Sequence, residues 1–312
     1  MDLWRETVLI TGGTGSLGTA LIPRVIAAGA QEVRVLSRDE VKQAALKVVY
    51  PDVRFILGDV RDLHACYEAV SGASVVIHAA SLKYVDLSEQ QPTEYALTNV
   101  LGTIHMIRAA LHEGVRIMVG ISTDKACCPI NTYGMTKGLL EKLFVESHTR
   151  RTSHDVTDFV VCRYGNVLGS RGSVILKWQQ ARLNGDPLLV TDPTMTRFFF
   201  TLDDAVGLIE KALVLPSGLI LSKAMPATTL EDLAEVMQGD AGIKVVGRRL
   251  GEKPHEDLLA THEMPRVSQD GDFFLYNPLG APCGDVPLPP YTSAMARRLT
   301  REELLSLTAP WR

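Results

Sequence analysis

Within sixteen residues, STDKACCPINTYGMTK (122–137), the chain sets an acid, two amines and a phenol. Thr123, Asp124 and Lys125 form one group, and Tyr133 and Lys137 the other. A spacing of four puts Tyr133 and Lys137 on one face of a helix. A free tyrosine, with a pKa of about 10, is scarcely ionised at neutral pH. A neighbouring ammonium favours the phenolate, so the pair can take a proton from an alcohol. The same spacing also occurs on surface helices, and its surroundings must decide. Asp124 and Lys125 are adjacent and cannot both project from one face of a helix or strand. They fit a loop after the strand RIMVGIS (116–122), where ligands of open α/β sheets bind. There an acid and an amine can give and take protons if burial shifts both pKa values, with a solvated loop pair as the plain alternative.

The elements around these residues read as an α/β fold. TVLIT (7–11), EVRVLS (32–37), VRFILGD (53–59), SVVIHAA (74–80), RIMVGIS and DFVVCRYG (158–165) are short β-branched runs. Amphipathic stretches such as LGTALIPRVIAAG and LHACYEAVSG separate them. Strand and helix alternating this often predict a Rossmann-type, doubly wound parallel sheet covered on both faces. After Gly169 the regularity fades. Helices over 201–215 and 228–239 and a short one in TREELLSL lie among loops rich in Pro, Gly and Arg. The expectation is a nucleotide-binding domain over 1–168 and a smaller α/β substrate domain over 169–312, with 201–216 able to pack back on the first. Trp178 and Phe198–Phe200 are read as core, and tandem Cys127 and Cys128 as packing.

VLITGGTGSLGTALI places glycines between the first strand and the first helix, in a GxxGxxG pattern at Gly12, Gly15 and Gly18. Glycine permits the tight turn and lets backbone N–H groups, those of Ser16 and Leu17 included, approach a pyrophosphate at the helix N-terminus. An NAD site expects an acid at the end of the second strand. This chain has Ser37 and Arg38 there, with Lys42 nearby; a guanidinium fork suits a 2'-phosphate, so NADP is expected over NAD. The alternative is a solvated Arg38 with Asp39 on the ribose. Asp59 and Val60, after the third strand, are placed to border the adenine, though Asp59 could equally cap the next helix.

Composition excludes other classes. A net charge of -4 carries no basic footprint for nucleic acid. The five cysteines show no CxxC pair and fit a reducing compartment. The histidines show no HExxH or other ligand spacing, so no metal is expected. MDLWRETVLITGG makes a poor signal peptide, and the apolar runs fall far short of the ~20 residues that span a bilayer. The reading is a cytoplasmic protein with no membrane partner.

TGGTGSLG, Asn99 in LTNVLGT, STDK and YGMTK together resemble an extended short-chain dehydrogenase/reductase. SRDEVKQ, HAASLKYVD, RYGNVLGSRGSV, MTRFF and RRLGEKPHEDL are similar, in order, to the soluble UDP-N-acetylglucosamine 4,6-dehydratases that invert C5 and begin pseudaminic acid synthesis. The resemblance implies that Tyr133 deprotonates the 4-hydroxyl and that Lys137 lowers its pKa and holds the cofactor ribose. It implies that Lys125, as a neutral amine, takes the C5 proton, that protonated Asp124 helps expel the 6-hydroxyl, and that Thr123 holds the sugar hydroxyl or caps a turn. Retaining relatives carry Asp-Glu where this chain has Asp-Lys, so Lys125 points to inversion. Ala79, Ala80 and Asn99 join the cofactor set. Lys83, Asn166, Arg171, Val174, Arg197, Arg249 and Glu252 fall at substrate positions, the arginines suited to diphosphate. A homo-oligomer is implied. Pro254, Met135 and the tail over 271–292 depart from the family pattern. A nucleotide-sugar 5,6-dehydratase leaving an alkene, or an epimerase, shares the opening oxidation and is the alternative.

Overall fold

The computed structural model describes every residue except 1, 2, 4, 153–155 and 284–287. Parts of the N-terminal stretch and of the 271–292 tail therefore lie outside the described residues. The strand β1 (Thr7–Thr11), α1 (Ser16–Ala27), β2 (Glu32–Ser37), α2 (Glu40–Val49), β3 (Arg54–Leu57), α3 (Leu63–Val70) and β4 (Val75–His78) alternate strand with helix. Next come α4 (Val85–Gln90), α5 (Pro92–Tyr95), a π-helical stretch (Ala96–Leu101), α6 (Gly102–His112), β5 (Ile117–Thr123), α7 (Thr132–Thr149) and β6 (Asp158–Tyr164). The remainder holds β7 (Asn166–Val167), α8 (Val174–Asn184), β8 (Leu188–Val190), β9 (Thr196–Phe200), α9 (Leu202–Ala212) and β10 (Leu219–Lys223). It closes with β11 (Ala227–Thr229), α10 (Leu230–Met237), β12 (Ile243–Val245), β13 (Asp257–Leu259), β14 (Val267–Asp270), β15 (Phe273–Tyr276), β16 (Tyr291–Thr292) and α11 (Arg301–Thr308).

Among the described residues, nine strands form one sheet in the order β14-β15-β10-β6-β5-β4-β1-β2-β3. From β3 to β10 all neighbours are parallel, and β15 and β14 add antiparallel at the edge. This is the expected Rossmann-type doubly wound sheet. β1, β4 and β5 are buried on both faces, which is why their sequences are continuously apolar rather than alternating. The strand order reverses between β1 and β4, where such sheets open a crevice for ligands.

The smaller lobe has its own core, with Trp178, Leu188, Val190 and Leu233 at its centre. β9 serves both cores: Phe198 and Phe200 face the main one and Phe199 the smaller, as alternation along a strand requires. Residue 168 is not a clean divide. α9 packs on α1, tied by Arg24–Glu210 at 3.1 Å, and β10, β14 and β15 extend the main sheet. Two C-terminal helices carry caps readable in the sequence: Thr229 opens α10, and Thr300 with Glu303 forms a capping box on α11.

Candidate active site

A single cleft of about 1030 Å³ runs from the glycine turn, past the C-terminal ends of the main strands, into the smaller lobe. Every site residue expected from the sequence lines it except Asp124 and Asn99. At the cofactor end the turn is built for close approach. A Cβ at Gly18 would stand 2.3 Å from Gly13 Cα, and one at Gly12 would stand 2.8 Å from Ala80 Cα. α1 begins at Gly15 without a side-chain cap, and Ser16, Leu17 and Gly18 in its first turn border the cleft. An uncapped N-terminus over such a cradle fits a pyrophosphate.

At the end of β2, Asp39 is already used. Its carboxylate caps α2 through the Lys42 N–H and pairs with the Lys42 ammonium. Arg38 meets Asp59 at 3.3 Å, and Arg61 meets the same carboxylate at 2.7 Å. Asp59 does not cap α3; Asp62 does, accepting from the His64 and Ala65 N–H groups. Asn99 differs from expectation. It is wholly buried, and its amide accepts from Leu82 N at 2.8 Å and donates to Leu82 O at 3.0 Å and Thr136 Oγ1 at 3.0 Å. It fixes the loop that carries Lys83 rather than facing the cleft.

Tyr133 and Lys137 stand on the first turns of α7, Lys137 buried and Tyr133 partly exposed on the cleft wall. The helix starts at Asn131, whose side chain accepts from Gly134 N at 2.7 Å. Gly134 explains the YG in the motif: a Cβ there would lie 2.1 Å from Lys125 O, so only glycine lets α7 press against the 124–126 turn. Burial pushes Tyr133 up to about 12, while Lys125 and a hydrogen bond with Thr123 pull the other way. Burial lowers Lys137 to about 8, against the pull of Glu141. His78, fixed between the hydroxyls of Thr11 and Thr103, is pushed by burial and by Lys137 to about 3 and is a neutral member of the sheet.

Asp124 and Lys125 sit on a 3-10 turn directly after β5, where a loop pair was expected. The Lys125 ammonium reaches Asp124 Oδ1 at 3.1 Å, Asn166 Oδ1 at 3.3 Å and Glu256 Oε1 at 3.2 Å. Burial disfavours its charge, but the two carboxylates outweigh that and hold its pKa above the ordinary lysine value. The expected neutral amine is therefore not the resting state: three acceptors surround three N–H donors. Burial raises Asp124, as an acid requires, despite Lys125. Asp124 Oδ1 also accepts from Thr123 Oγ1 at 3.0 Å, while Oδ2 has no partner. Thr123 both caps the turn, accepting from Lys125 N at 3.4 Å, and faces the cleft.

The family model described as "Polysaccharide biosynthesis protein" matches residues 8–278. The chain belongs to that family. It is 41% identical over 281 residues to a protein named UDP-glucose 4-epimerase from Rickettsia bellii, an alignment spanning 86% of this chain and 82% of that one. The Rickettsia rickettsii protein of the same name is 39% identical, with the same coverage. Among solved structures, Pen from Bacillus thuringiensis superposes with a TM-score of 0.94 at 32% identity, over 100% of this chain and 99% of that chain. DesIV, a dTDP-glucose 4,6-dehydratase from Streptomyces venezuelae, superposes with a TM-score of 0.72 at 22% identity, over 79% and 86% of the two chains, and shares the fold. The fold is that of the extended short-chain dehydrogenases/reductases that include nucleotide-sugar epimerases and dehydratases.

The residues expected at the substrate end separate into groups. Asn166 touches Lys125. Arg197 is buried, with its guanidinium on Thr196 O and Pro254 O at 2.7 and 3.2 Å and Nε 3.7 Å from Glu256, so it belongs to the charge cluster rather than offering an open fork. Arg171 lies over the glycine turn, its N–H on Ser16 Oγ at 2.9 Å and its guanidinium 3.4 Å from Thr19 Oγ1. Lys83, Val174, Arg249 and Glu252 line the cleft, Glu252 accepting from Arg249 N at 3.1 Å. Of the cysteines, Cys127 is buried and Cys128 exposed. Among the described residues no cluster suits a metal ion, and no helix is long and apolar enough to cross a membrane. The sequence reading passed over Glu256. Its only signal is its place in GEKPHED, far from the catalytic motif.

Proposed function

We propose that this protein is an NADP-dependent UDP-N-acetylglucosamine 4,6-dehydratase that inverts C5. The observation that carries the reading is Lys125 in the same cleft as Tyr133 and Lys137, its ammonium held between Asp124 behind the cleft wall and Glu256 on its border. Tyr133, with Lys137 behind it, removes the 4-hydroxyl proton. NADP, held by the glycine turn and by Ser37, Arg38 and Lys42, would supply the hydride chemistry between C4 and C6 that no side chain can. The 4-ketone acidifies C5–H. Proton transfer from Lys125 to Asp124, across 3.1 Å, turns an ion pair into the neutral amine and neutral acid that elimination needs, with no proton lost. Lys125 then takes the C5 proton. Because Asp124 itself is turned away from the cleft, its proton reaches the departing 6-hydroxyl through Thr123, 3.0 Å away. Reprotonation of C5 from the opposite face gives the inverted product.

Arg38, Ser37 and Lys42 line the adenosine end, and Asp39 is committed to its cap, which favours the 2'-phosphate of NADP over the bare ribose of NAD. NAD is the cofactor named with DesIV and with the Thermus thermophilus epimerase, each similar to this chain in fold alone. The lining of the cleft supports a UDP-sugar as partner, and a homo-oligomer in the cytoplasm belongs to the same reading.

The name of the Rickettsia relatives supports a second reading, a UDP-glucose 4-epimerase. An epimerase needs the Tyr133–Lys137 pair and room to turn a ketone, but no acid–amine cluster beside the sugar. Mass spectrometry of UDP-N-acetylglucosamine incubated with protein and NADP separates the two. A product lighter by one water whose proton NMR spectrum shows a 4-ketone and a 6-methyl supports the 4,6-dehydratase; an unchanged mass with C4 inverted by NMR supports the epimerase. An exocyclic alkene product indicates the 5,6-dehydratase.

A further inference from the structure

We propose that Glu256 is a positioning residue for C5 chemistry, the fixed anion that makes Lys125 basic enough to take the C5 proton and returns it to ammonium once it has. This rests on the dehydratase reading above. Lys125 Nζ lies between two carboxylates, Asp124 Oδ1 at 3.1 Å and Glu256 Oε1 at 3.2 Å. These two differ. Asp124 faces away from the cleft and is raised by burial, so it is the one to hold a proton. Glu256 borders the cleft, and although burial opposes its charge, Lys125, Arg197 and Lys253 hold it ionised. The charged groups facing Lys125 are Asp124 on its own turn, Glu256 from the segment before β13 and Arg197 from β9, with Tyr133 from α7 also near.

The fold takes trouble to deliver Glu256. Its N–H donates to Ser293 Oγ at 2.8 Å. Lys253, buried beside it, donates at 2.8 Å both to Cys127 O and to Asp257 Oδ2, pinning segment 253–257 to the chain just after Lys125. One Glu256 oxygen meets Lys125; the other, Oε2, is buried without a partner. An ionised oxygen left unpaired is costly, and it is compatible with a group kept for its charge rather than for hydrogen bonding.

In the step itself the C5–H pair forms the C5=C6 bond, the proton goes to Lys125 Nζ, and the C6–O bond breaks with the proton from Asp124, leaving as water. Nζ goes from neutral to cationic 3.2 Å from a fixed anion, so the transition state is stabilised more than the ketone before it. C4 oxidation, run by Tyr133 and Lys137, meets this charge only at second hand, through the pull of Lys125 on Tyr133.

The test compares wild type, Glu256→Gln and Glu256→Asp with UDP-N-acetylglucosamine in heavy water. Appearance of reduced cofactor reports C4 oxidation, and deuterium at C5 reports proton abstraction. The expected result is C4 oxidation within a few-fold of wild type in both variants. C5 exchange falls about 100-fold in E256Q and less in E256D. The acidic limb of C5 exchange moves to lower pH in E256Q, because an amine without its anion loses its proton more readily. Exchange at the wild-type rate in E256Q, or an equal loss of both steps, overturns the proposal. Should E256Q not fold, E256D decides by the same ratio of steps. Wild-type protein that inverts C4 and places no deuterium at C5 overturns the dehydratase reading and this proposal together.

Discussion

Glu141 holds Arg163 by two hydrogen bonds, 2.8 Å to Nε and 2.6 Å to Nη2, one helical turn along α7 from Lys137. The far side of the same guanidinium carries Glu263 through two bonds of 2.8 Å and Leu258 O at 2.9 Å. All three side chains are buried. The group fastens α7 to the C-terminal segment that presents Glu256, so the Tyr133–Lys137 pair and the Lys125 cluster are held by one network.

Arg163→Met leaves two buried carboxylates without their cation, and breaking such a group costs about 3–5 kcal/mol. Chemical denaturation should show a loss of this size together with lower activity. A loss below about 1 kcal/mol contradicts the role given to Arg163. Burial alone would raise Glu263, but the Arg163 hydrogen bonds outweigh it and set its pKa below the ordinary 4.5. A carboxylate depressed on folding stabilises above its unfolded pKa and loses that contribution as pH falls through the folded value. Stability should therefore drop below about pH 4.5 more steeply in wild type than in Glu263→Gln.

Lys137 behaves oppositely. Burial lowers it from 10.5 to about 8, so between those values the unfolded chain binds a proton that the folded chain does not. Its burial thus costs stability at neutral pH, and the cost fades as pH rises from 8 to 10.5. Lys137→Met, inactive through loss of the ammonium, should be the more stable protein at pH 7, by up to ~3 kcal/mol, with the difference vanishing near pH 10.5. Thermal melts across this range check it; a variant less stable at pH 7 contradicts the account.

Arg38→Ala removes a guanidinium beside the end of β2 that the NADP reading sets against the 2'-phosphate. Its charge-assisted bonds are worth about 1.5–3 kcal/mol, so NADP binding should weaken about 10- to 100-fold with NAD binding little changed. Calorimetry with each cofactor measures this. Equal losses for both would remove the case for NADP.

Asn99→Ala leaves the N–H and C=O of Leu82 without their amide partner. Each unsatisfied buried group costs about 1–3 kcal/mol, and the loop carrying Lys83 loosens. The expected outcome is lower stability with KM for the sugar nucleotide raised more than kcat falls. An unchanged KM would return Asn99 to a purely structural role.

Much of this site was legible because its parts are local. The Gly12–Gly18 turn, the Tyr133–Lys137 spacing and the Asp124–Lys125 pair each lie within one short stretch whose strand–turn–helix context is visible from hydrophobic period. Glu256 and Glu263 were not legible, because each meets its partner across a hundred positions or more and no periodicity records such a pairing. Arg171 and Arg197 were placed by motif at the sugar nucleotide. Both line the cleft, but chain geometry also carries Arg171 over the glycine turn and ties Arg197 to backbone carbonyls, which residue type alone cannot foretell. β14 and β15 escaped notice because an edge hairpin beyond a parallel sheet follows no strand–helix alternation.

The most direct measurement is the proton NMR spectrum of UDP-N-acetylglucosamine after incubation with the protein and NADP in heavy water. The account predicts a 4-keto or hydrated 4-keto sugar with a 6-methyl group and one deuterium at an inverted C5. A sugar that keeps its 6-hydroxyl and C5 hydrogen, with only C4 changed, would contradict it.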